Sequence, residues 1–153
     1  MSLVEERRIA DTLGRELGLE FQGRRFELDG WGQADNYALI QKDLLILLEV
    51  ETSQKHPSTN VLKVWPYLEK HAGATVVLVQ VFRTAAKNEK SSRGQLAAWV
   101  ARRIKRALAG RFYYYRLLCE SDGRVMGELE DLRVQLSNLR AAKREGDRSG
   151  SSA

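Results

Sequence analysis

The sequence predicts an α/β sandwich around a central five-stranded mixed sheet, in the order αβββαβαβ, closed by a C-terminal helix. Three observations predict it. Leu44–Leu48 and the run TVVLVQVF at Thr75–Phe82 are short apolar stretches of the kind that form central strands covered on both faces. Segments with helical apolar spacing separate the later strand candidates, which is the alternation of a layered α/β domain. The chain has 153 residues, 43% of them hydrophobic and 29% charged. That is one domain's length, able to bury about two-thirds of its unfolded surface, and it excludes a mostly disordered chain.

Each element has a local cause. Leu3–Gly18 reads as a helix because Ile9, Ala10, Leu13 and Leu17 recur at helical spacing, and Gly18 can stop it. Arg24–Leu28 is a strand before the turn at Asp29-Gly30, and Gln33–Ile40 is a second. Gln41-Lys42-Asp43 forms a polar tip before the third strand, Leu44–Glu51. Pro57-Ser58-Thr59 opens a helix to about His71, capped by Ser58 or Thr59. Pro66 lies inside it and predicts a kink. Thr75–Phe82 is the fourth strand, and Arg83–Lys90 a polar connector. Ser91–Ala109 is a helix with an apolar row of Leu96, Val100, Ile104 and Leu108, ended by Gly110. Phe112–Cys119 is the fifth strand, and Ser121-Asp122-Gly123 a turn. Val125–Arg144 is the last helix. Residues 1–144 then make one domain, and 145–153 a disordered tail.

Function classes narrow quickly. No apolar run approaches the roughly 20 residues that span a bilayer, and charges within the first eight residues leave no signal peptide. A single cysteine, Cys119, forms neither an internal disulfide nor a Cys-rich zinc site, which points to a reducing cytoplasm. The net charge of +5 is unevenly distributed. Residues 1–52 hold 11 acidic and 6 basic side chains, whereas residues 83–116 hold 10 basic and 1 acidic. One surface is suited to cations and the other to phosphates, or both are solvated faces.

The third strand carries the chemistry. Glu49 and Glu51 are two apart and share a face with Leu45 and Leu47. Carboxylates on a buried strand are costly unless neutralised. With Gln41-Lys42-Asp43 as the tip, Ile40 faces Leu44, so Asp35 lies opposite Glu49 and Gln33 opposite Glu51. A tip of two or four residues would put Asp35 on the other face. Asp35, Glu49 and Glu51 would then meet in one small volume. Such a group suits Mg²⁺ or Mn²⁺, because a hard cation takes one or two carboxylates plus waters and phosphate oxygens. The alternative is an exposed sheet end where the acids pair with Arg or Lys.

Ala34-Asp35-Asn36 followed by Leu45–Glu51, in this element order, resembles the PD-(D/E)xK nuclease superfamily, the restriction-endonuclease-like fold. The topological resemblance covers roughly residues 4–119. It implies metal binding by Asp35 and Glu49. Its usual third-position lysine is Glu51 here, as in the Glu-x-Glu members of the superfamily, and Ala34 stands in place of the usual proline. A lysine supplied from elsewhere is then expected, with Lys63 first and Lys55 second. Such families often add an acid from the first helix, which would be Glu6. Glu6 is otherwise an acid favoured by the helix dipole. Gln33 and Gln54 are candidate outer polar groups.

The implied reaction is metal-dependent hydrolysis of a nucleic-acid phosphodiester, with DNA as the expected substrate. Arg93, Arg102, Arg103, Lys105 and Arg106 form a basic stripe able to follow phosphates, joined by Arg83, Lys87, Lys90, Arg111 and Arg116. Trp31, between two glycines, could stack on a base or pack against the domain. Leu129, Leu132, Leu136 and Leu139 form a short heptad seam for the chain's own core or for a two-fold homodimer. Two other readings remain: a nuclease-fold module that binds nucleic acid without cutting, and an oligomerising scaffold.

Overall fold

A computed structural model of the protein describes residues 3–51, 56–83 and 91–151. Its elements in chain order are α1 (Leu3–Leu17), β1 (Phe26–Glu27), β2 (Gln33–Ala34), β3 (Asn36–Gln41), β4 (Leu44–Glu51), α2 (Pro57–Leu62), α3 (Val64–Lys70), β5 (Thr75–Arg83), α4 (Ser92–Ala107), β6 (Phe112–Cys119), β7 (Val125–Gly127) and α5 (Leu129–Gly150). The fold is α/β. A five-stranded mixed sheet of order β3-β4-β5-β6-β7 lies between two helical layers, and β1 and β2 form a separate ribbon. The β4–β5 and β5–β6 pairs are parallel, and the β3–β4 and β6–β7 pairs antiparallel.

The expected strand number is right, but the membership differs. The expected Arg24–Leu28 strand shrinks to β1 and pairs only with β2, outside the main sheet. The expected Gln33–Ile40 strand breaks at Asp35 into β2 and β3. The fifth place in the main sheet goes to β7, whose residues are expected in the last helix. Gly127 adopts φ 106 at its end, and a side chain there would come within 3.0 Å of the Arg116 carbonyl oxygen. Close pairing at this edge therefore requires glycine.

The sheet buries both faces. Ile46, Leu48 and Val50 of β4 pack with Val77, Val79 and Val81 of β5 against α1 and α5, using Ile9, Ala10, Leu13, Leu132 and Leu136. Leu45, Leu47, Val76 and Leu78 pack on the other face with Val61, Val64, Leu68, Ala97, Ala101 and Ile104 from α2, α3 and α4. The leucine seam of α5 is thus occupied within the chain, with Leu129 and Leu139 at its margins, and does not face outward for a dimer. In α4 the expected row fails at Leu96, which is half exposed. The buried stripe is Gly94, Ala97, Ala98, Val100, Ala101 and Ile104, four of the six glycine or alanine. The last helix runs on to Gly150, past Arg144.

Pro66 explains one break. The α2 ladder ends at Lys63, which itself keeps helical dihedrals, and α3 starts at Val64, so Pro66 falls in the first turn of a new helix. There its missing N–H breaks no intrahelical bond. The cap before α2 is His56, with Pro57 at the first helical position and no side-chain cap bond, instead of Ser58 or Thr59.

Candidate active site

The site begins with the β3–β4 hairpin. Its turn is Lys42-Asp43 and its first pair is Gln41 with Leu44. A two-residue turn alone would have put the wrong face inward. A register shift between Leu39 and Gln41 inserts one extra residue, so Leu39 faces Leu45 and Asn36 faces Leu48. The expected alignment is reached with a different tip. Continuing past Asn36, Asp35 comes level with Glu49 on the side that holds Tyr37 and Leu47. The ladder itself has ended, and Asp35 Oδ2 instead accepts a hydrogen bond from the Val50 N–H at 2.8 Å. Gln33 is not opposite Glu51, because it pairs with Glu27 in the ribbon.

Glu49 and Glu51 are 1% and 0% exposed, at the end of a strand buried at every position. Lys63, at the junction of α2 and α3, brings its ammonium into ion-pair contact with Glu49 Oε1. The same ammonium donates to the Asn60 Oδ1 at 2.9 Å and to the Gln33 carbonyl. Three acceptors therefore surround it. Gly32 lies against the lysine stem, where a Cβ would be in ordinary contact at 3.4 Å from Lys63 Cδ, and its φ of 126 is what favours glycine there.

Glu51 is held by neutral amides. Its Oε1 accepts from Asn60 Nδ2 at 2.7 Å and from Gln80 Nε2 at 2.8 Å. Gln80 Nε2 also donates to the Pro57 carbonyl at 3.0 Å, and Gln80 Oε1 accepts from the Tyr114 hydroxyl. Glu51 Oε2 is buried with no hydrogen-bond partner among the described residues. Asn60, Gln80 and Tyr114 escaped the sequence reading. Gln80 had a visible signal, as the one polar residue inside TVVLVQVF. Asn60 and Tyr114 had none, since their role depends on how α2 and β6 lie over β4.

The electrostatics follow from burial. Loss of solvent raises the Glu49 pKa well above the usual carboxylate range; the Lys63 charge opposes this, and Asp35 and Glu51 add to it. Burial also raises Glu51, against the donors of Asn60 and Gln80 and with the help of Asp35. Glu6 is raised by partial burial and then by Asp35, so α1 brings its acid within electrostatic reach of the site.

Among the described residues, no group of three or more His, Cys, Asp or Glu side chains is gathered as a ready metal cage. The donor chemistry still fits a hard cation held by few protein ligands. Glu51 Oε2 has no partner among the described residues, and Asp35 has a second oxygen beyond the one facing Val50.

The basic residues are dispersed. Arg93, Arg102, Arg103, Lys105 and Arg106 are all exposed on α4. Arg93 stands in the first turn of this helix. Arg106, thirteen residues on, is about 20 Å farther along. None of Arg93, Arg102, Arg103, Lys105 and Arg106 is among the charges that shift Glu49 or Glu51. Arg103 lies over the half-exposed Trp99 ring at 5.2 Å. Arg111 donates to the Leu68, Ala74 and His71 carbonyls instead of facing solvent, and Arg83 pairs with Glu5. Arg116 lies over the Phe82 ring. Gln54, Lys55, Lys87 and Lys90 lie outside the described residues.

Trp31 is 61% exposed, in the ribbon turn next to the Lys63 stem. Its N–H donates to the Leu28 carbonyl, and the Gly32 carbonyl accepts from the Leu28 N–H, so the turn is held from both sides. No described helix is long and apolar enough to cross a membrane. No protein-family model, no curated protein and no solved structure matches the chain.

Proposed function

We propose that this protein is a Mg²⁺- or Mn²⁺-dependent nuclease of the restriction-endonuclease-like kind, hydrolysing phosphodiester bonds of DNA. One observation carries the reading: a buried oxygen, Glu51 Oε2, with no hydrogen-bond partner among the described residues, at the end of a central strand and within electrostatic reach of Glu49 and Asp35. An unsatisfied buried carboxylate oxygen is costly and calls for a cationic or protonated partner. Asp35, Glu49 and Glu51 would hold the divalent ion. Bound there, it would polarise a phosphoryl oxygen and acidify a water.

The chain's own residues do the rest. Lys63 neutralises Glu49 and links it to the Gln33 carbonyl, which supplies from the α2–α3 junction the cation that Glu51 displaces from the motif. Glu6 stands at the rim, its proton affinity raised, where it can hold a proton or a water near Asp35. Trp31 offers a flat apolar surface beside the acids on which a base can stack, worth about 1–3 kcal/mol per base. Arg93, in the first turn of α4, would meet the phosphate chain. The cluster from Arg102 to Arg106 engages it farther along.

The test is plasmid nicking with and without Mg²⁺, on wild type, Asp35→Ala and Glu49→Ala. Metal-dependent cutting by wild type and its loss in both variants is the expected result. The second reading, a module that binds nucleic acid without cutting, is favoured by the crowding of Lys63, whose ammonium already has three acceptors. Salt-sensitive DNA binding with no cutting at any Mg²⁺ concentration would establish that reading instead.

A further inference from the structure

The two buried amides beside Glu51 are oriented by their partners. Lysine has donors only, so Asn60 must turn its oxygen to Lys63 and its nitrogen to Glu51. A backbone carbonyl only accepts, so Gln80 must turn its nitrogen to Pro57 and to Glu51, leaving its oxygen for Tyr114. Both amides reach the same atom, Glu51 Oε1. The residues that provide them are almost fully buried, at 9% and 0% exposure, on two different elements. Neither amide touches Oε2.

We infer that Asn60 and Gln80 are positioning residues that clamp Glu51 by Oε1, so that Oε2 is the atom it presents. Asn60 also ties that orientation to Lys63 and, through Lys63, to Glu49. This rests on the reading of the acids as a divalent-cation site. A carboxylate with one oxygen fixed and the other bare is preorganised for one further ligand. Groups that orient a metal ligand without touching the metal typically alter affinity or activity 10–100-fold when removed.

The experiment uses the full chain, labelled with ¹⁵N, and compares wild type with Glu51→Gln, Asn60→Leu, Asn60→Ser and Gln80→Met. Metal-free melting identifies which variants are folded, and Asn60→Ser stands in where Asn60→Leu does not fold. Mg²⁺ and Mn²⁺ are titrated calorimetrically into each. At a pH high enough to ionise Glu51, we expect the wild-type Asn60 and Gln80 side-chain amide protons to resonate downfield, as donors to an ionised oxygen, and to move upfield in Glu51→Gln. The folded Asn60 and Gln80 variants should bind Mg²⁺ about 10–100-fold more weakly. Wild-type Mg²⁺ affinity in folded variants at both positions overturns the inference. If wild type takes up neither cation, the nuclease reading fails separately, and the amide signals then decide the clamp. A Glu51-dependent downfield shift upholds it, and ordinary amide shifts reject it.

Discussion

The two faces of β4 are built from one eight-residue strand, yet they do different work. Ile46, Leu48 and Val50 face α1 and α5 and stay apolar to the end. Leu45 and Leu47 face α2, α3 and α4 and are apolar, but the next two residues on that face are Glu49 and Glu51. Both faces are equally dry. The first is satisfied by contact alone, so many side chains of the right volume would serve there. The second needs specific partners: an ammonium for Glu49, and two amides for one oxygen of Glu51. Burial stabilises on one face and must be compensated on the other.

That contrast can be broken most directly at Lys63. Lys63→Met strands Glu49 without its counter-charge and should cost about 3–5 kcal/mol in urea unfolding. Adding Glu49→Leu should recover most of the loss, since an apolar pair restores the logic of the opposite face. A single-variant loss under about 1 kcal/mol would mean that the pair is solvated and the contrast misconceived. On the apolar face, Leu48→Ala should cost about 2–5 kcal/mol by the same measurement. Provided the variant is folded, metal-dependent nicking should be unchanged.

A pH series sharpens the comparison further. Burial raises Glu51's proton affinity in the folded chain. The folded chain therefore keeps this proton at pH values where the unfolded chain, with a glutamate pKa of about 4.3, has released it. Stability from this group is complete below the unfolded pKa and declines as pH rises through the raised folded value. Unfolding measured from about pH 4 to pH 8 should show that decline in wild type and a smaller one in Glu51→Gln. The smallest effect is expected at Trp31. Because it is mostly exposed, Trp31→Ala should change stability by no more than about 0.5 kcal/mol. A loss of DNA affinity in a filter-binding or anisotropy assay would then report stacking rather than misfolding.

What could be read from the sequence follows the same division. The apolar face announced itself through β-branched runs and helical spacing, because burial is a property of single positions. Glu49 and Glu51 were conspicuous for breaking that pattern, and the spacing that put them on one face was legible. The sheet membership was not, because two-residue strands such as β1 and β2 are fixed by what they pack against. Leu96 looked like core at its spacing, yet α4 turns its small residues inward. The partners of the acids were the least legible. Lys63 stood first of two candidate lysines, but its pairing with Glu49 depends on where the α2–α3 junction lies, and Asn60 approaches Glu51 only because α2 folds back over the end of β4.

The extra residue near Ile40 has a consequence for how this hairpin can change over time. Surface tips ordinarily tolerate gain or loss of a residue. Here the turn and the kink behind it form a parity device, each cancelling the other's offset. Shortening either one alone would rotate Asp35 to the opposite side of the sheet and part it from Glu49. Related chains that keep the acids together should therefore vary at this tip only by paired or even-numbered changes in length.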